Sequence, residues 1–419
     1  MYRPCVGCCI LWAALSGCLQ LNLLPKNGAV WVECPEEEHC YSGNVLADIL
    51  VWEEDSILLA GTNASFSDTA SPAKPFLRMV DLEGQVLWSL DMPVDETAGW
   101  PRPAVGALAR TVDEAILAVG ATAETDVDVE GSIIPILTPF VIKLSGNGEE
   151  VWRREFDFPR TPPTVKPLNI MFATVATQDT GAFAVAGYDQ YASPLVVVGC
   201  DAEGEVQWTY EGGRHYPDDL QPTIDGGYLL LSTLGQSSPG SASFTEKIVF
   251  TQLSATGAEV WEEEMSPPTD DYLRGEEKNL VKTANGWAMA ITAPGRPAQA
   301  LLIEVGQYGG LLRRVEISLP GRNSQVKDWD AIDDGYLLTV SHERTWDGDE
   351  TGFSTIKLSS EWEVTGRRWY YKGLRPAETA VLANETLLIT GTAFRAHTGF
   401  TSSNRLFLFP TRLPLDTIF

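Results

Sequence analysis

The sequence predicts an all-β chain folded as a seven-bladed β-propeller of four-stranded blades, with the last blade closed by an N-terminal strand. Three observations predict it. A tight turn followed by an apolar run recurs, as in "TIDGGYLLLS", "AIDDGYLLTV", "ATQDTGAFAVAG" and "TANGWAMAIT". A second motif, Asp-x-x-Gly-x-x-x-Trp or a near relative, follows the first in successive units. A stray Gly-turn and Trp strand, "NGAVW" at 27–31, precedes the first unit and has no partner near it.

The first apolar positions of the turn motif align at Ile57, Ile116, Phe183, Tyr228, Trp287, Tyr336 and Thr386. Self-similarity at about 50 residues signals a repeat architecture. Each unit reads as four short strands. In the fourth they are "QPTI", "GYLLLST", "KIVFTQLS" and "EVWEEEM". Asp225-Gly226-Gly227 and Ala255-Thr256-Gly257 mark its hairpin turns, where Gly permits positive φ. Apolar runs of four to seven residues between such turns suit strands buried on both faces. Four-stranded sheets that bury both faces on one another close into a propeller.

The outer motif ends at Trp88, Trp152, Trp208 and Trp261. In the fifth unit, "GQYGGLLR", Arg313 stands where Trp belongs. In the sixth, "SSEWEVTG", Trp362 takes the Gly place and Gly366 the Trp place. The seventh unit has "NETLLITG" and "RLFLFPTR" but no outer strand after them, and "NGAVW" supplies the missing one.

The chain begins "MYRPCVGCCILWAALSGCLQ", with Arg3 ahead of an apolar run too short to span a membrane. Residues 1–17 therefore read as a signal peptide, 18–26 as a tether and 27–419 as one propeller domain. Leu15-Ser16-Gly17-Cys18 resembles the bacterial lipobox. The resemblance implies export and a lipid on Cys18 that anchors the chain to a bacterial membrane, at the outer membrane or cell surface. Cys34 and Cys40 bracket "PEEEH", and an oxidising compartment suits a disulfide between them. The alternative is a metal held by Cys34, His39 and Cys40.

From Ala47 onward the "DGGYLL" and "KLSxxGxxxW" alternation resembles exported bacterial propeller repeats related to the quinoprotein-type (PQQ-like) blade. The resemblance implies that Trp88, Trp152, Trp208 and Trp261 lock neighbouring blades together. No signature of a quinone cofactor site accompanies the repeat, and no cofactor is expected.

Composition narrows the function. The chain carries 30 Lys and Arg against 57 Asp and Glu, a net charge of −27, which repels nucleic-acid phosphates. The histidines, His39, His215, His342 and His397, lack metal-ligand spacing. No nucleophile elbow, phosphate loop or dinucleotide fingerprint is present. "DVDVEG" offers Asp126, Asp128 and Glu130 as weak Ca²⁺ candidates, but Leu137 stands where a bidentate Glu is required.

The segments after the Trp strands read "GWPRP", "FPRTPP", "GGRHYP", "DDYLRG", "PGRN" and "GLRP". Each holds an Arg: Arg102, Arg160, Arg214, Arg274, Arg322 and Arg375. Trp100, Tyr216 and Tyr272 accompany them. Arg and aromatic residues dominate recognition surfaces, so these segments are the expected binding face. Pairing of each Arg with a neighbouring blade's carboxylate is the alternative. The expectation is a non-enzymatic, membrane-anchored scaffold binding an envelope protein or an anionic ligand. The alternative is a propeller-type hydrolase or lyase with carboxylates in the central funnel.

Overall fold

In the computed structural model the described residues are 30–31, 44–53, 55–63, 74–92, 104–127, 133–158, 170–189, 194–237, 244–265, 279–293, 298–320, 324–342, 352–370, 374–381, 386–396 and 402–412; side chains are described only within 47–370. Every element among them is a β-strand. No helix among them is long and apolar enough to cross a membrane.

A short strand, β1 (Val30–Trp31), opens the chain. Then six blades follow, each a sheet of four consecutive antiparallel strands. The first holds β2 (Asn44–Glu53), β3 (Ser56–Asn63), β4 (Lys74–Asp81) and β5 (Val86–Asp91). The second holds β6 (Ala104–Arg110), β7 (Ile116–Val127), β8 (Ile133–Leu144) and β9 (Glu150–Glu155). The third holds β10 (Ile170–Thr177), β11 (Phe183–Asp189), β12 (Leu195–Cys200) and β13 (Val206–Glu211). The fourth holds β14 (His215–Pro222), β15 (Tyr228–Ser237), β16 (Phe244–Leu253) and β17 (Glu259–Met265). The fifth holds β18 (Leu280–Lys282), β19 (Gly286–Ala293), β20 (Gln299–Gly306) and β21 (Leu311–Ser318). The sixth holds β22 (Ser324–Ile332), β23 (Gly335–His342), β24 (Gly352–Ser359) and β25 (Val364–Tyr370).

The expected count of seven blades is corrected here. Six blades, not seven, are built as continuous four-stranded units. The remaining sheet is composite: β26 (Leu374–Val381), β27 (Thr386–Ala396) and β28 (Ser402–Arg412) form a three-stranded meander, and β1 adds to its outer edge. Val30 pairs with Leu408 and Trp31 with Phe407, antiparallel. The physical reason is that no fourth strand follows β28 among the described residues, and β1 takes that edge instead. β26 packs beside both β22 and β2, so this sheet stands between the sixth blade and the first.

Burial follows from the blade stacking. Leu58, Leu77 and Ile142 share one core between the first two blades, and Leu338, Ile356 and Trp329 another between the fifth and sixth. The apolar runs are thus covered on both faces, as strands without inside-outside alternation require. The outer strands differ. Their burial alternates, and they are the exposed edges of the sheets.

In the six continuous blades each outer strand carries a bulge just before its repeat-aligned Trp position. The register shifts between Met79 and Val80, Gly199 and Cys200, Gln252 and Leu253, and at corresponding places in the other three blades. The extra residue is Leu87, Val151, Gln207, Val260, Leu312 or Thr365. All tight turns lie at one end of the ring. The strand ends that lead from the second strand to the third, and from one blade to the next, lie at the other.

Candidate functional site

The outer-strand tryptophans are half-buried. Each ring lies against the glycine of the next blade's third-to-fourth-strand turn. A Cβ on Gly148 would sit 2.6 Å from the Trp88 ring, and one on Gly257 would sit 2.4 Å from Trp208. Gly204 faces Trp152 and Gly309 faces Trp261 in the same way. Trp88 Nε1 also donates to the Gly146 carbonyl at 3.2 Å. These glycines have positive φ, so the turn and the ring both demand Gly.

The fifth and sixth blades exchange the partners. Arg313 lies 4.5 Å from the centre of the Trp362 ring and donates to the Glu361 carbonyl. Trp362 occupies the turn position with φ 59°. The Trp therefore comes from the turn and the cation from the strand, and the inter-blade contact survives with its chemistry swapped.

The inner strands bring together three carboxylates that sequence reasoning missed. Asp48, Asp219 and Asp328 sit at corresponding bulges of β2, β14 and β22. Asp48 accepts the Ile49 amide at 2.7 Å and, from the next blade, the Leu108 amide at 2.5 Å. Asp219 accepts the Leu220 and Leu280 amides, each at 2.6 Å, the second again from the next blade. Asp328 accepts Trp329 N at 2.8 Å and Asn279 Nδ2 at 2.6 Å. Each carboxylate joins two inner strands whose backbones do not pair.

Burial pushes the Asp48 carboxyl up to about 7, the Leu108 and Ile49 amides pull against that, and the charges of Asp219 and Asp328 add to the rise. Asp219 rises to about 6, again chiefly through burial. A signal for this set exists in the sequence. Counting back eight or nine residues from the aligned apolar positions reaches Asp48, Ala107, Thr174, Asp219, Asn279, Asp328 and Glu378.

A second polar cluster lies between the fifth and sixth blades. His342 is buried, with Nδ1 2.8 Å from Ser324 Oγ and Nε2 2.9 Å from Ser354 Oγ. Burial lowers its pKa to about 4, so the ring is neutral at neutral pH and both nitrogens are satisfied by hydroxyls.

The residues expected to bind fall mostly outside the described set. Cys18, Cys34, Cys40, Trp100, Arg102, Asp128, Glu130, Arg160, Tyr272, Arg274 and Arg322 lie there, and Arg375 is described in its backbone alone. Arg214 is exposed at the start of β14. Tyr216 is exposed beside it and meets Tyr188 edge-on, centroids 5.0 Å apart. Asp126 falls within strand β7 rather than in a loop. Among the described residues no group of three or more His, Cys, Asp or Glu could hold a metal ion.

No protein-family model matches the chain, and no curated protein matches it. Solved structures do. The Dos1 propeller is 7% identical over 92% of this chain and 81% of its own, with a TM-score of 0.52. An α-L-arabinanase of Penicillium chrysogenum is 10% identical over 91% of this chain and 98% of its own, with a TM-score of 0.45. A protein of unknown function from Bacteroides caccae is 12% identical over 70% and 90%, with a TM-score of 0.38. At such identities a likeness speaks to fold alone. What the chain shares with known structures is the β-propeller, built of four-stranded antiparallel blades.

Proposed function

We propose that the protein is a non-enzymatic binding scaffold of the exported lipoprotein kind, held to a membrane through Cys18, which offers its loop-bearing end to an envelope protein or an anionic ligand. The direction of β1 carries this reading. β1 runs antiparallel to β28, so the chain enters β1 at the tight-turn end. A tether of about a dozen residues from Cys18 reaches at most ~40 Å. The end that carries Arg214 and Tyr216 then points away from the membrane. The tryptophan–glycine contacts support a quinoprotein-type blade used here as scaffold.

A photo-crosslinker at Tyr216, compared with one at Val206 on the opposite end, tests the reading in native membranes. Adducts at 216 that vanish when Arg214→Glu is added support it. Equal adducts at both positions, indifferent to Arg214, overturn it.

One observation favours a second reading, a hydrolase or lyase. Asp48, held near neutrality beside Asp219 and Asp328, has the protonation behaviour of a general acid. Its two oxygens are already engaged by Ile49 and Leu108, which favours the stapling role.

A further inference from the structure

The tight-turn end differs in character from the rest of the described surface. Of the exposed large hydrophobic residues described, all but Tyr216 and Trp369 lie at this end. Leu87, Val151, Val206, Val260, Tyr308 and Leu312 occupy five successive blades at one height, on or just after the third-to-fourth-strand turn. Tyr308 is 84% exposed. The fold does not require apolar residues there, because Gln207 and Thr365 fill the same bulge in the third and sixth blades.

These turns are also acidic. Asp81, Glu83, Glu149, Asp201, Glu203 and Glu361 lie on them, and none of the six carries Lys or Arg. The apolar side chains on these outer strands are exposed, and in the first three blades they stand beside turn carboxylates. Evenly spaced apolar groups on a charged rim mark an interaction surface rather than a leftover core.

We propose that this end is a docking surface for a basic polypeptide whose Lys or Arg side chains are interspersed with apolar ones. Charge complementarity selects that occupant. A second copy of this chain would bring the same carboxylates, and anionic lipid headgroups would meet like charge on four of the six turns. The inference concerns the end opposite the Arg-bearing segments and does not depend on the lipid at Cys18.

Titration of the full chain with two synthetic peptides of equal charge tests it, one alternating Lys and Leu, the other Lys with Ser. The Lys–Leu peptide should bind at least tenfold tighter at moderate salt. Tyr308→Ser with Leu312→Gln leaves the charge unchanged and should remove that tenfold, while Tyr216→Ser at the far end should not. Equal affinity for the two peptides, or retention of the difference in the double variant, overturns the proposal. So does binding to phosphatidylglycerol or phosphatidylcholine vesicles, or self-association, that the same double substitution abolishes. Unchanged melting of the variants separates a lost surface from a lost fold.

Discussion

Arg313 and Trp362 show how one contact survives an exchange of residues. A lone Arg313→Trp would bring a second indole against Trp362, and a lone Trp362→Gly would leave the guanidinium without its ring. Arg313→Trp should cost ~1–2 kcal/mol, and Trp362→Gly at least ~3 kcal/mol, because that ring is buried against Trp329 and Tyr336. The pair Arg313→Trp with Trp362→Gly recreates the arrangement of the earlier blades, so its cost should fall short of the sum by at least ~0.5 kcal/mol. Chemical denaturation of the four proteins in the cycle measures this, and strict additivity would refute it. Titration gives a second residue-scale test. His342 prefers its neutral form in the fold, so its contribution is full above the unfolded value near 6.5 and is lost as pH falls toward about 4. Asp48 behaves oppositely: its folded value is raised to about 7, so its contribution is full below about 4 and is lost as pH rises through 7. Replacing His342 by Gln should therefore flatten the acid limb of stability against pH, read from urea midpoints between pH 4 and 7. An unaltered acid limb would exclude His342 as its cause.

The blades were legible because each spells its own turns. Gly226 and Gly257 both adopt positive φ, and that local demand writes glycine into most of these turns. Their surroundings differ, however. A Cβ on Gly226 meets nothing nearer than 3.8 Å, whereas one on Gly257 would enter the Trp208 ring. Gly226→Ala should cost ~1 kcal/mol from backbone strain alone, and Gly257→Ala at least twice that, by equilibrium unfolding. Equal costs would mean the indole does not rest on the turn. The inner carboxylates were harder to read. Asp48, Asp219 and Asp328 lie in different blades, and nothing local requires an acid there, since Ala107 and Thr174 occupy the same bulge in the second and third blades. Their partners are amides of adjoining blades, a relation that exists only once the ring has formed. The composite sheet lay between these cases. "NGAVW" announced a strand, and only the pairing of Val30 with Leu408 and Trp31 with Phe407 gave it a place.

At the scale of the molecule, the ends of the chain meet in one sheet. Removing residues through Trp31 takes away the outer strand of that sheet and uncovers β28 at Phe407 and Leu408, so the truncated chain should melt earlier and less cooperatively by calorimetry. An unchanged transition would mean that β1 contributes nothing to closure. The proposed anchor is tested separately: Cys18→Ser should shift the protein from the membrane fraction to the soluble one, and unchanged retention would point to tethering by a partner.

The bulged outer strands have a bearing on crowding. Molecules confined to a plane are concentrated far beyond what dilution in a volume allows, and sheets with straight, open margins would zip together there into ribbons. An extra residue in the outer strands of the six continuous blades breaks the hydrogen-bonding rhythm that such zipping needs. The margins of those six blades are thereby poor templates for edge-to-edge pairing with another copy.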